Sequence, residues 1–359
     1  MGLPSIITTF QTLASTAIQR TSKGTVGIII QDTAHNGAHV LTREMQILTD
    51  LKTLGAENQK YLERAFLGYV SRPQRIIVYV LPTDAEDVAE ALAYFASQRI
   101  DYIAGPPDTD TAIANEIKTW IKFQREDGFI PKAVLPQTAA NSEAIINFTS
   151  EGILVGEVVY TPAEYCARIA GLIAGTPVTS SCTFAPLPEV SNVETLTSDE
   201  MDTAINNGEF IIFHDSIKVK VGRGVNSYTN TPKDPLKGDA FKKIKIVEVM
   251  DMIQSDIKIT AQDTYIGKFA NSYDNKCLLI AAIADYFAML ERESILAAGK
   301  SSIGIDVEAQ AEYLRNQGID ISDMTEQEIK EANTGSYVFL LASISILDAI
   351  EDIRLKIRI

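Results

Sequence analysis

The last residues of the chain alternate between apolar and basic side chains, and this period of two predicts a β-strand. Its two predicted faces consist of Ile353, Leu355, Ile357 and Ile359 on one side, and Arg354, Lys356 and Arg358 on the other. Because an unpaired strand with an apolar face promotes aggregation, this strand needs a partner. The pattern predicts a C-terminal β-strand arm over residues 348–359.

The beginning of the chain has the same character. Residues 1–22 include a β-branched stretch before the first clear turn, and we predict an N-terminal arm whose strand contains Ile6, Thr8 and Phe10. Both arms could pair within their own domain. Alternatively, they add as strands to neighbouring copies, where backbone hydrogen bonds supply affinity and alternate side chains set the register.

Between the arms, predicted strands and helices alternate, which is typical of a layered α/β fold. Capping-box patterns predict helices that begin after Thr83 and after Thr161. We expect an N-terminal β-rich domain over residues 23–82 and a central α/β domain over residues 83–235. Helical periodicity followed by β-branched residues then predicts an α+β domain over residues 236–347.

Composition narrows the possible functions. The chain has 359 residues, of which 46% are hydrophobic and 22% charged, and its net charge is −15. Such an acidic balance disfavours a nucleic acid as partner, because phosphate binding relies on clustered Lys and Arg. The first residues do not resemble a secretion signal, and no apolar run is long enough to cross a bilayer, so we expect synthesis in the cytoplasm without membrane insertion. The three cysteines are widely spaced, which fits reduced thiols.

Four segments partly match catalytic or ligand-binding motifs. They are a His35 and His39 pair near Asp32, His214-Asp215-Ser216, Gly222-Arg223-Gly224 and Gly299-Lys300-Ser301. The histidine pair lacks a helix that would align it, and His214-Asp215-Ser216 lacks a nucleophile elbow. The segment at 222–224 lacks the third glycine of a dinucleotide loop, and the segment at 299–301 lacks the first glycine of a phosphate loop. We therefore predict no catalytic, cofactor-binding or metal-binding residue. The alternative is a cytosolic, hydrolase-like α/β enzyme whose active site these patterns do not reveal.

Several segments, in this order along the whole chain, resemble the contractile tail sheath proteins of bacteriophages and R-type bacteriocins, most closely the PBSX-like branch that includes the diffocin sheath. The matching segments are residues 6–10, 16–20, 24–27, 161–164, 170–177, 222–227, 265–268, 271–273, 338–340 and 347–352.

The resemblance implies a central domain similar in layout to subtilisin but without a catalytic triad, and a C-terminal inner domain. It implies that both arms add strands to inner-domain sheets of adjacent subunits, so that stacked sixfold rings form a helical homo-oligomer around the tail tube. Further implied partners are the baseplate and tail-terminator proteins. Contraction of this sleeve would drive the tube through the target cell envelope, with no cofactor and no enzymatic activity.

The resemblance also places a tube contact near the C-terminal arm, for which Asp348, Glu351 and Asp352 are the first candidates and the helical region 276–298 is the alternative. The implied location is the bacterial host cytoplasm during assembly and an extracellular phage or phage tail-like particle after lysis. A bacteriocin, a complete phage and a related contractile injection system all remain open as the source particle.

Overall fold

A computed structural model describes residues 17–20 and 23–358. These residues divide into two compact units. We call residues 23–251 together with 348–358 the sheet unit, and residues 17–20 together with 252–347 the helical unit. The predicted arm residues Ile6, Thr8, Phe10 and Ile359 lie outside the described residues.

The sheet unit is built on a seven-stranded sheet in the order β2-β3-β1-β4-β5-β6-β9. Edge strand β2 is antiparallel to β3, and the other neighbours are parallel. Two hairpins, β7-β8 and β10-β11, stand apart from this sheet. The strands are β1 Thr25–Gln31, β2 Gly37–Leu41, β3 Arg75–Leu81, β4 Tyr102–Ala104, β5 Lys132–Pro136, β6 Ile145–Phe148, β7 Ile153–Val155, β8 Val158–Tyr160, β9 Glu209–Phe210, β10 Ile212–His214 and β11 Val219–Val221.

Helices cover both faces of the sheet, which explains why its central strands are continuous apolar runs. Ile28 of β1 packs in the core that includes helices α2 and α5, whereas the next residue, Ile29, packs in the core that includes α3 and α4. At Gly171 of α5 a Cβ would lie 1.9 Å from the Ala65 carbonyl oxygen of α2, so only glycine permits this close helix contact. The helices are α1 Met45–Asp50, α2 Ala56–Phe66, α3 Ala89–Phe95, α4 Thr111–Glu126, α5 Pro162–Ala174 and α6 Ser198–Asn206.

The helical unit is an α+β arrangement, and the division between the units falls within helix α7. A π-helical turn at Ala261–Tyr265 follows that helix. The remaining elements are α7 Ile244–Thr260, α8 Tyr273–Arg292, β12 Ser302–Ile305, α9 Val307–Asn316, α10 Glu326–Glu331 and β13 Leu340–Ser343, with a 3₁₀ turn at Asp239–Lys242 before α7.

Two expectations from the sequence differ from the structure. Residues 23–82, predicted as a separate domain, supply β1, β2 and β3 to the same sheet as the strands that follow. The helix predicted to begin after Thr83 begins only at Ala89, whereas the one predicted after Thr161 has a complete capping box. The loop before Ala89 has other partners: the Ala85 carbonyl accepts a hydrogen bond from Gln31, and the Val88 amide donates to Glu116.

A buried ion network joins the first turns of α7 to the amino-terminal ends of the central strands β4 and β5. The Lys132 ammonium lies 2.8 Å from Asp251 and 3.1 Å from Glu248. Arg125 donates two hydrogen bonds to Asp251, and Tyr102 donates one to Glu248. Because these carboxylates have little contact with water, the cations are required to compensate their charge.

We expect Lys132→Met to destabilise the fold strongly, because it leaves Glu248 and Asp251 buried without their shared cation. Breaking one partner of a buried ion pair costs about 3–5 kcal/mol. The free energy of unfolding, measured by urea denaturation, checks this. The matched control is Lys122→Met, at an exposed position of α4; equal losses from both substitutions would contradict a specific role for the network.

The same network predicts a pH dependence. Burial alone would raise the pKa of Glu248, but Lys132 and Lys23 outweigh it and lower the pKa from 4.5 to about 2. The stabilisation from this carboxylate is therefore complete above pH 4.5 and is lost as the pH falls toward 2. Glu248→Gln should destabilise the protein at pH 7, and its difference from the wild type should shrink over that acid range. Urea unfolding at several pH values tests this, with exposed Glu157→Gln as the control.

Candidate functional site

The end of the C-terminal arm has its apolar face in water. Ile353, Leu355 and Ile357 are 81%, 79% and 74% exposed. Residues 348–358 form no strand pairing with the other described residues. Within the described chain the alternating segment is thus unpaired and uncovered, and the predicted C-terminal strand is not formed.

The root of the arm, by contrast, is held to the sheet unit by its carboxylates. Asp348 forms an ion pair with Lys243, and Asp352 forms one with Arg223 at 2.6 Å. Glu351 accepts hydrogen bonds from the hydroxyls of Ser181 and Thr183. Its side chain is only 7% exposed, so the predicted tube-contact residue Glu351 faces its own chain, while Asp348 and Asp352 stay at the surface.

The Gly222-Arg223-Gly224 segment, which the sequence suggested only as an incomplete dinucleotide motif, packs against the residues that bind Glu351. The Gly224 amide donates to the Thr183 hydroxyl, and a Cβ at Gly224 would lie 2.9 Å from the sulfur of Cys182. Burial raises the pKa of the Cys182 thiol to about 12, so it remains protonated at neutral pH. Asn226, fully buried, donates to the Phe241 carbonyl and fixes the rest of the loop.

A second candidate surface lies in the helical unit, along residues 340–347. Strand β13 pairs with β12, and its continuation pairs with residues 295–297 through the Leu296–Ile346 bridge. Among the described residues, the opposite edge of this strand has no backbone partner. Beside it, Leu341 and Tyr337 are exposed, and Tyr337 contacts the rings of Tyr313 and Phe339. This edge has the properties of an acceptor for an added strand.

The histidine motifs have other partners than those a catalytic or metal site requires. His35 Nε2 lies 2.7 Å from the Thr53 hydroxyl, and His39 Nε2 lies 2.6 Å from the His35 carbonyl. The described residues contain no group of His, Cys, Asp and Glu suited to a metal ion. Ser216 donates its backbone amide to His214 in the β10-β11 turn, which is not the geometry of a catalytic triad.

The Gly299-Lys300-Ser301 segment also has a different role from phosphate binding. The backbone amides of Gly299 and Ser301 both donate to the Glu291 carboxylate at the end of α8. This side chain occupies the amides that a phosphate would need. The segment therefore binds the Glu291 carboxylate at the end of α8, and this internal anion takes the place of a phosphate.

Sequence reasoning missed two clusters. The partners of Glu351 lie about 110–170 positions earlier in the chain, and no local pattern connects them. The signal that was present is the short glycine motif at 222–224, which the family resemblance included. The buried network of Lys132, Glu248 and Asp251 had no signal beyond isolated charges in apolar surroundings.

Among the described residues, no helix combines the length and apolar character that crossing a membrane requires. Residues 82–227 match the family model of the phage tail sheath protein central domain, and residues 237–359 match that of the phage tail sheath C-terminal domain.

Relatives and solved structures agree with these matches. The chain is 37% identical to the tail sheath protein of Clostridium phage phiCD119, over 99% of each chain. Its fold is similar to a sheath tail protein from Desulfitobacterium hafniense, with a TM-score of 0.70 at 17% identity over 84% of this chain and 94% of that one. It is equally similar, with a TM-score of 0.70 at 16% identity over 100% and 99% of the two chains, to the helical sheath of the anti-feeding prophage in its contracted state. The chain therefore belongs to the phage tail sheath protein family.

Proposed function

We propose that this chain polymerises as a helical sleeve around a tail tube and contracts to drive that tube through the target cell envelope. Membership of the tail sheath family supports this function over the enzyme alternative. The structural observation that carries the proposal is the C-terminal arm, whose apolar residues are exposed in the single chain. Such a face is stable in water only when another surface covers it.

The mechanism of polymerisation that we propose is strand addition. Residues 353–359 of one subunit would pair with a free sheet edge of an adjacent subunit, and the edge along residues 340–347 is the best candidate acceptor. Covering each of Ile353, Leu355 and Ile357 would contribute roughly 1.5–3 kcal/mol if burial were complete. Arg354, Lys356 and Arg358, on the other face, would disfavour unguided pairing between free arms.

The N-terminal arm, with Ile6, Thr8 and Phe10, is proposed to act in the same way. We further propose stacked sixfold rings, contact with the tail tube, baseplate and tail-terminator proteins, and a subtilisin-like layout of the central domain without a working triad. Assembly would take place in the bacterial cytoplasm, and the sheath would act in an extracellular phage or phage tail-like particle. Neither a cofactor nor catalysis is part of this proposal.

Contact with the tube stays a prediction for Asp348 and Asp352. The Asp352 side chain is 77% exposed and the Asp348 side chain 38%, so both carboxylates can reach a polar surface of a partner. A polar contact is suitable because contraction has to release it.

Negative-stain electron microscopy of the purified chain tests the proposed function directly. Sleeves of regular diameter would support a sheath. A compact monomer that forms no sleeves at any concentration and hydrolyses a model ester would instead favour the enzyme alternative.

We expect Leu355→Pro to abolish sleeves, because proline removes a backbone donor and interrupts the hydrogen-bond ladder of an added strand. Each lost ladder bond costs about 0.5–1.5 kcal/mol, and this loss recurs at every subunit. The folding of the single chain should not change, since Leu355 is exposed and unpaired with other described residues. Sleeve counts by microscopy, together with circular dichroism, measure both effects.

Arg354→Gln is the matched control, one position away on the basic face. It removes only an exposed charge, which is typically worth less than about 1 kcal/mol, so sleeves should remain nearly as abundant as in the wild type. Loss of sleeves in Arg354→Gln with their retention in Leu355→Pro would mean that the arm is an electrostatic tether and not an added strand.

A further inference from the structure

We propose that Glu351 closes an intramolecular latch that fixes the point where the C-terminal arm leaves the rest of the sheet unit. Its partners in this latch are Ser181, Thr183, Arg223 and Lys243. The latch itself is a property of the single chain. Its consequence for assembly, which is to set the reach of the free arm, rests on the proposed strand addition. Glu351 would thus be a positioning residue and not a contact residue of the tube.

The two hydroxyls of the latch are oriented toward the carboxylate. Ser181 Oγ and Thr183 Oγ1 lie 2.9 Å and 2.5 Å from Glu351 Oε1. The Gly224 amide donates to Thr183 Oγ1, and the Thr183 amide donates to Ser181 Oγ. Because the Gly224 amide occupies a lone pair of Thr183 Oγ1, the Thr183 proton is left to donate to the anion, whereas the single Ser181 proton is shared between Glu351 and Thr183 Oγ1, which lies 2.9 Å away.

Two cations form ion pairs with the carboxylates of the arm. Glu351 Oε2 lies 3.8 Å from both Arg223 Nε and Lys243 Nζ, and it has no hydrogen-bond partner among the described residues. The same cations pair with Asp352 and Asp348 at the surface. Three arm carboxylates therefore meet two cations, and only that of Glu351 is buried.

Burial makes Glu351 the residue on which the latch depends. Exposed ion pairs such as those of Asp348 and Asp352 contribute little, because water and salt screen them. Removing a buried carboxylate would leave the Ser181 and Thr183 hydroxyls and both cations without their central partner. Gly224 also contributes to the latch, because a Cβ at this position would lie 3.1 Å from Ser181 Oγ and displace it.

The latch shortens the part of the arm that is free to pair. When fully extended, residues 353–359 span at most about 25 Å, whereas residues 348–359 would span at most about 43 Å. Because effective concentration falls with roughly the −3/2 power of tether length, opening the latch would lower it about twofold and widen the range of positions that the strand samples. A closed latch therefore restricts each arm to acceptors within the shorter reach.

Cleavage by a glutamate-specific protease tests the latch on the full-length, unpolymerised chain. Such an enzyme must take the Glu351 side chain into its own pocket, which a closed latch prevents. Glu157, in the exposed β7-β8 turn, serves as the internal reference. In the wild type we expect cleavage after Glu351 to be much slower than after Glu157, although the arm beyond it is exposed.

Two variants should open the latch without removing the cleavage site. Thr183→Val and Arg223→Gln should each speed cleavage after Glu351 about tenfold, as expected when a hydrogen bond or ion pair to a charged group is lost, with the rate at Glu157 unchanged. Thr179→Val, at an exposed neighbouring position, is the matched control and should change neither rate. Two variants with different chemistry protect the test against the misfolding of one, and thermal unfolding identifies which of them fold.

Equal cleavage rates at Glu351 and Glu157 in the wild type, or unchanged rates in variants that fold, would overturn the latch. Sleeve assembly in the absence of tubes tests its consequence: the protein concentration needed for sleeves should rise about twofold or more when the latch opens. Assembly of open-latch variants at the wild-type concentration would overturn the positioning role. If the wild type forms no sleeves, the proposed function is contradicted. The protease result would still test the latch, because that experiment uses the unpolymerised chain.

Discussion

A β-strand satisfies its backbone only by pairing with other strands and covers an apolar face only by packing against another layer, and this double constraint shapes the whole chain. Within the sheet unit it is met locally: the strand β1 has a neighbour on each side and a helical layer on each face. At the C terminus it is not met, because residues 353–358 are exposed and form no strand with the other described residues. The chain thus combines a sheet that is complete with an arm that requires a partner.

The same constraint explains what the sequence could predict. The continuous apolar strands and the capping box at Thr161 are local patterns, and each gives its structure directly. The alternation after Asp352 is also a local pattern, but its strand stays a prediction, because residues 353–358 form no strand among the described residues. The capping-box pattern at Thr83 failed because contacts made by the following loop with Gln31 and Glu116 outweigh a local helix signal. A local sequence pattern predicts the structure correctly where the tertiary contacts favour the same conformation.

Long-range electrostatics was beyond the reach of sequence patterns. Glu351 meets Thr183 and Arg223, and Lys132 meets Asp251, across separations of more than a hundred positions. Composition shows only that such residues are charged. Their burial follows from the fold, which brings their partners together. For this reason the sequence suggested a surface role for Glu351, whereas the structure gives it internal partners.

The arm therefore has two ends with opposite physical character. Its root is polar and bound by charge to its own chain, while its tip is apolar and unpaired among the described residues. Ion pairs at a surface are weak and exchange readily, whereas a strand with a covered apolar face gains from every ladder bond. In the proposed assembly, the Glu351 latch fixes the root while the surface ion pairs around it exchange, and the tip gains its affinity from a neighbouring subunit. The proposed polymer would then be held together at the tip of each arm, while the root determines where the arm leaves its own chain.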